Sequence, residues 1–232
     1  MDRYLIAIGG GSLQEKSTLK IDAFIADLAK KRAGDKRAVG VFIGTASHDS
    51  MPYFNTFRKT YTAEFNIKAD CVLSVYGEMN DEKIKTKFEK ADLIYIGGGD
   101  TLFMLDWWKQ KGILNYLFDA YDRGVIIAGL SAGAICWFDK MYTDSEFFNK
   151  TTEYSIHSGL GILQGICCPH YDERATEFDK EFLNCGINLG YAIEANSAVV
   201  FKNGNYSSAL TCGGNSYRIE NVNGEAVKTL LN

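Results

Sequence analysis

Residues 125–134 read Val-Ile-Ile-Ala-Gly-Leu-Ser-Ala-Gly-Ala, and few folds accommodate such a run. The apolar Val125–Ile127 segment and Ala128 predict a buried strand. It runs into Gly129-Leu130-Ser131-Ala132-Gly133, and small residues then open a predicted helix. Strand, tight turn and helix in that order are the context of a nucleophile elbow. Only small residues clear the backbone on either side of such a turn. It lifts the Ser131 hydroxyl out of the sheet, at a helix N-terminus. Free N–H groups and the positive dipole end are there to meet a developing oxyanion. Ser131 is therefore the first candidate catalytic residue.

The rest of the chain supports a parallel α/β sheet. Tyr4–Ile8 predicts a strand ending in Gly9-Gly10-Gly11-Ser12. Apolar positions at helical spacing mark residues 19–31 and 53–65, the latter through Phe54, Phe57, Tyr61 and Phe65. Residues 38–43, 71–76 and 93–96 predict further strands. Helices are expected from Asn80 or Asp81 to residue 90, over 102–109 and over 114–121. Strands alternating with helices of this length build βαβ units. After Gly159 the texture changes to short strands at 162–168, 192–193, 198–201, 207–211 and 216–220. Asn203-Gly204 is a hairpin signal. The expectation is one α/β domain over residues 1–232. Its sheet is doubly wound and mostly parallel, with antiparallel C-terminal strands added at the edge. In such sheets the working crevice lies at the strand C-termini. The Gly9–Ser12 loop, the 97–101 loop and Ser131 all sit at such ends.

Composition narrows the class. A net charge of −4 over 232 residues gives no electrostatic case for nucleic acid. No apolar run reaches membrane-spanning length. The N-terminal apolar run is too short for a signal peptide, and Asp2 precedes it, so a cytoplasmic chain is expected. The six cysteines lack Cys-x-x-Cys spacing, and adjacent Cys167 and Cys168 would point to opposite faces of a strand. Small buried thiols are expected, with neither a zinc site nor a disulfide framework. Neither glycine run completes a phosphate-loop or dinucleotide fingerprint. Gly97-Gly98-Gly99 leaves backbone N–H groups unobstructed, as an anion nest or half an oxyanion hole would need. Asp100 is placed to cap the following helix. Trp107-Trp108 and Phe147-Phe148 are read as core for at least one residue of each pair. A homodimer is the default oligomer.

A serine nucleophile needs a base, and the base an orienting acid. Of His48, His157 and His170, the last follows an apolar strand and precedes polar residues, which suits a base projected into a crevice. The acid stays open. Chain order Ser-acid-His offers Asp144, Glu146 or Glu153, in a stretch (139–152) read as a solvated loop. Chain order Ser-His-acid offers Glu194, between two apolar strand segments where an unpartnered carboxylate is costly.

Four elements in this order resemble the family of serine peptidases that contains dipeptidase E (aspartyl dipeptidase) and cyanophycinase. They are Tyr95-Ile96-Gly97-Gly98-Gly99-Asp100-Thr101, Gly129-Leu130-Ser131-Ala132-Gly133-Ala134, Pro169-His170-Tyr171 and Ile193-Glu194-Ala195-Asn196-Ser197-Ala198. Asp100 stands where the family often has Asn. The resemblance implies an α/β domain similar to class I glutamine amidotransferases. It implies a triad of Ser131 as nucleophile, His170 as base and acid, and Glu194 orienting His170. It implies oxyanion donors at Ala132 and at Gly98 or Gly99, and no cofactor or metal. It also implies a small peptide substrate with an aspartyl residue on the acyl side. Arg174, four residues past His170, is the cation placed to grip that carboxylate. An esterase or amidase using the same triad, or a catalytically silent binding protein, are the alternatives.

Overall fold

The computed structural model describes residues 1–77, 79–145 and 154–231. Glu146, Glu153 and Phe147-Phe148 lie outside the described residues. Two sheets carry the chain. The first has a parallel centre of β1 (Tyr4–Ile8), β2 (Val39–Ile43), β3 (Lys68–Val72), β4 (Leu93–Ile96) and β5 (Ile126–Leu130), in the order β1-β5-β4-β2-β3. Strands β10 (Ser197–Lys202) and β11 (Asn205–Thr211) extend it antiparallel beyond β1. They are joined by Asn203-Gly204, both at positive φ as a two-residue hairpin turn of this kind requires.

Helices cover both faces of this sheet. Alternate strand residues serve the two layers, because side chains on a strand point to opposite faces. Ile6, Ile8, Phe42, Tyr95 and Ala128 pack with α1 (Leu19–Ala33) and α2 (Met51–Phe65). Leu5, Ala7, Ile43, Ile94, Ile96 and Ile127 pack with α3 (Asp81–Lys90), α4 (Thr101–Lys111) and α5 (Ile113–Asp122). Burying each of these Ile or Leu side chains stabilises the fold by about 1.5–3 kcal/mol. The two expected caps are present. Asn80 accepts from Lys83 N–H at 3.0 Å and Asp100 from Phe103 N–H at 3.0 Å.

The C-terminal third differs from the sequence expectation. Among the described residues, only β10 and β11 of the C-terminal strands join the edge of the first sheet. A second, six-stranded sheet forms from β6 (Phe138–Thr143), β7 (Ser155–Ser158), β8 (Leu163–Pro169), β9 (Leu189–Ile193), β12 (Ser216–Val222) and β13 (Glu225–Leu230). Its β6, β8 and β9 are mutually parallel. The start of the presumed 139–152 loop is thus strand β6, with Met141, Tyr142 and Thr143 buried. Trp108 and Trp137 are fully buried, and Trp108 donates to Thr45 Oγ1 at 3.0 Å. The third strand ends at Val72 rather than 76, where its parallel register with β2 runs out. The polar segment after His170 is α7 (Tyr171–Asn184), packed on the second sheet through Phe178 and Phe182. No helix among the described residues is long and apolar enough to cross a membrane. The six cysteines form no disulfide among the described residues, and four of them are buried.

Candidate active site

The elbow is built by close backbone approach. Ser131 has φ 52° and ψ −111°. That conformation costs a non-glycine residue on the order of 1–3 kcal/mol, and it persists where the surroundings enforce it. The flanking glycines explain how. A Cβ at Gly129 would fall 1.9 Å from the Gly133 carbonyl oxygen, and one at Gly133 would fall 2.4 Å from that of Ile96. Ser131 N–H donates to Ile8 O at 2.9 Å, which ties the turn to the neighbouring strand. The helix that follows, α6 (Ala132–Ile135), is a single turn rather than the longer helix expected.

His170 arrives from the other sheet. It ends β8 in the left-handed region, φ 49° and ψ 43°, and precedes α7. Its N–H donates to Gly9 O at 3.0 Å, so the first strand's loop fixes its backbone. Its Nε2 lies 3.1 Å from Ser131 Oγ, within hydrogen-bond reach. Burial, and then the Arg174 guanidinium, lower the pKa of His170 below the ordinary 6.5. The carboxylates of Glu173, Asp144 and Asp172 oppose the shift. The imidazole is therefore neutral near pH 7, as a general base must be. His157 lies on β7, where its Nε2 sits 2.9 Å from Ser155 Oγ. His48 packs tilted against Phe103, with centroids 4.2 Å apart.

The carboxylates divide differently. Glu194 follows β9, and its Oε2 accepts from Asn215 N–H at 2.8 Å and Asn215 Nδ2 at 3.1 Å. Among the described residues, none makes a hydrogen bond to His170 Nδ1. The 194–196 turn nevertheless lies on that side of the ring. A Cβ on Gly10 would sit 2.6 Å from His170 Nδ1 and 3.4 Å from Ala195 Cα, and one on Gly9 would sit 2.4 Å from Glu194 O. Asp172 accepts from Ala195 N–H at 2.9 Å. Asp144 accepts from Arg174 Nη2 at 3.0 Å. Arg174 itself is in the first turn of α7, not in a loop, and is only 4 % exposed. Its guanidinium lies 4.7 Å from the Tyr154 ring centroid, and its buried Nε has no partner among the described residues.

The glycine loop faces the elbow. A Cβ at Gly98 would sit 3.3 Å from Ser131 Cβ. Gly99, at φ +139°, must be glycine, because a Cβ would fall 2.2 Å from Ala46 O. Gly97 N–H donates to Ile43 O at 3.0 Å, Gly98 N–H to Tyr53 Oη at 3.3 Å, and Asp100 N–H to Ala46 O at 2.8 Å. Thr101 and Leu102 N–H both donate to Ser145 Oγ, a buried cap within the 139–152 stretch expected to be a solvated loop. Gly99 N–H and Ala132 N–H donate to nothing among the described residues. Tyr53 also borders a cavity of about 280 Å³ with Gly11, Ser12, Leu13, Gln14, Pro52 and Thr56. One wall of this cavity continues from Gly10, which abuts His170, and the other ends at the tyrosine that holds Gly98.

The known proteins that this chain resembles are peptidases. The profile of Peptidase family S51 matches residues 5–209. The chain is 32 % identical over 226 residues to the uncharacterized peptidase YgaJ of Bacillus subtilis, covering 94 % of this chain and 92 % of that protein. A 46-residue stretch, 20 % of each chain, is 41 % identical to Peptidase E of Salmonella typhimurium. The fold matches a crystal structure of a peptidase from an acI-B1 Actinobacterium, with a TM-score of 0.73. That match has 14 % identity and covers 99 % of this chain and 98 % of the other.

Proposed function

The chain belongs to peptidase family S51 and is a serine-type peptidase; on that premise we propose that it cleaves a small cytoplasmic peptide with an aspartyl residue on the acyl side, using Ser131, His170 and Glu194. The observation that carries this reading is the 3.1 Å approach of His170 Nε2 to a serine held at positive φ. Ser131 Oγ attacks the scissile carbonyl carbon while its proton passes to His170 Nε2. The carbonyl electrons move to oxygen, and Ala132 N–H and Gly99 N–H receive the oxyanion. The free state of these two donors supports the choice of Gly99 over Gly98. The C–N bond then breaks, and His170 gives its proton to the leaving amine. Water, deprotonated by the same imidazole, hydrolyses the acyl-enzyme.

Glu194 is the positioning acid of this reading. Its turn runs along the Nδ1 side of the ring, and its carboxylate, which accepts from Asn215 in this structure, would on turning to Nδ1 hold the imidazole in the tautomer that presents Nε2 to the serine. Arg174 is the substrate's cation. Its guanidinium is buried beside the base, with one nitrogen unpartnered among the described residues, and a buried bidentate donor discriminates strongly for a carboxylate.

The test is amine release from a panel of Xaa-Leu dipeptides, isoaspartyl peptides and matched esters, by wild type, Ser131→Ala and Glu194→Gln. Cleavage of Asp-Leu by wild type, none by Ser131→Ala, and a fall of about 10²-fold or more in Glu194→Gln are expected. Turnover retained in Ser131→Ala refutes the mechanism. Esters cleaved and all peptides spared refute the substrate class.

A further inference from the structure

Tyr53 touches the glycine loop from outside the motifs and holds the Gly98 N–H. It stands in the first turn of α2, next to Pro52. Its ring packs edge-on against Phe42, with centroids 4.9 Å apart, and lies on Gly97, where a Cβ would come within 2.8 Å of it. A side chain at 97 would therefore push against the Tyr53 and Phe42 rings. Its hydroxyl oxygen accepts the Gly98 N–H.

We propose that Tyr53 is a positioning residue for the reaction, whose hydroxyl orients the glycine loop so that the Gly99 N–H faces the oxyanion. This rests on the serine-peptidase reading above. Three consecutive glycines have no side chain to fix their peptide planes, and each samples positive and negative φ with little penalty. Here the planes are fixed by partners on either side. The Gly98 N–H is held by Tyr53, and the Asp100 N–H by Ala46 O. Between them, Gly99 N–H is the loop's only donor left unengaged from Gly97 to Phe103, among the described residues. Removing the hydroxyl frees Gly98 to rotate and leaves its N–H competing for the same acceptor. Burial pushes the phenol up to about 12, so the hydroxyl keeps its proton across the working pH range. That proton has no acceptor among the described residues, and the oxygen remains an acceptor for Gly98.

Tyr53→Phe keeps the ring on Gly97 and Phe42 and deletes only the hydroxyl. Two rates are read in wild type and variant: turnover of the best substrate from the panel, and the second-order labelling of Ser131 by a fluorophosphonate, whose phosphoryl oxygen occupies the same oxyanion site. The expected result is a drop of roughly 10–100-fold in both kcat and labelling rate, below the 10²–10³ of losing a donor outright. KM stays within about twofold and the melting temperature within a few degrees. Both rates within twofold of wild type overturn the proposal. So does a loss confined to KM, which would place the hydroxyl on the substrate. Tyr53→Leu guards against a packing effect: a rate loss in Leu that Phe does not share also overturns it. Wild type that neither labels at Ser131 nor turns over any substrate fails the underlying reading, and the proposal with it. Wild type active with Tyr53→Phe unchanged fails the proposal alone.

Discussion

Gly10→Ala places a methyl against the base and removes no hydrogen-bonding group from the site. Gly10 has no positive φ, so the backbone accepts alanine. The added Cβ would lie 2.6 Å from both Nδ1 and Cε1 of His170, whereas ordinary van der Waals contact begins near 3.4 Å. About 0.8 Å must be found. Gly10 O accepts from Asn196 N–H at 3.1 Å, and Gly9 is walled in by Ile193 O and Glu194 O. The loop is therefore pinned, and the imidazole is the group that yields. A displacement near 1 Å of a catalytic group costs about 10²-fold, and loss of general-base transfer costs about 10²–10⁴-fold. The expectation is a fall of about 10²–10³ in kcat/KM, or roughly 3–4 kcal/mol in transition-state stabilisation. The assay is the fluorophosphonate labelling rate of Ser131 beside dipeptide turnover, with a melting curve to show that the fold survives. A variant that stays folded and labels within twofold of wild type would refute the idea that Gly10 sets the position of His170.

Two further outcomes concern protonation. His170 titrates below 6.5, so kcat/KM should hold through pH 6.5 and fall only at lower pH; an acid limb centred above 7 contradicts the burial argument. The same depressed pKa stabilises the fold fully above 6.5 and is lost as pH falls through the lower, folded value. Asp22 behaves oppositely. It is fully buried, accepts from Thr18 Oγ1 at 2.7 Å and Tyr61 Oη at 2.8 Å, and burial raises its pKa from 3.8 to about 6. Its contribution is therefore fully present below 3.8 and lost as pH rises through about 6. Between pH 4 and 8 the stability of Asp22→Asn should gain on wild type by roughly 3 kcal/mol, read by urea unfolding at each pH; a pH-independent difference refutes it.

What was legible in the sequence is what sequence neighbours decide. The elbow, the glycine loop, the Asp100 cap and the Asn203-Gly204 turn each depend on residues within a few positions. All stand where the spacing puts them. Ser131 and His170, 39 residues apart, meet as the motif order implied. The second sheet was not legible, because pairing β6 with β8 and β9 with β12 is decided by distant partners. The polar letters of Asp139 and Lys140 hid a strand whose Met141, Tyr142 and Thr143 are buried. Helix α7 was overlooked because seven of its residues are charged; the four-residue spacing of Phe178 and Phe182 was the available signal. Arg174 shows how a neighbour in space changes a reading. Its place four residues past a histidine marked it as a cation for the substrate, but nothing local showed that α7 turns it inward onto Asp144 and Tyr154. Tyr53 fell at the edge of the aromatic stripe of its helix, and nothing local linked it to a loop 45 residues away.

The most direct measurement is covalent. The folded protein is treated with a small fluorophosphonate and digested, and the adduct is located by mass spectrometry, with His170→Ala treated in parallel. A single adduct on Ser131 in wild type, slowed by orders of magnitude in His170→Ala, is the predicted result. No adduct, an adduct elsewhere, or equal labelling of the two proteins would contradict a Ser131 activated by His170.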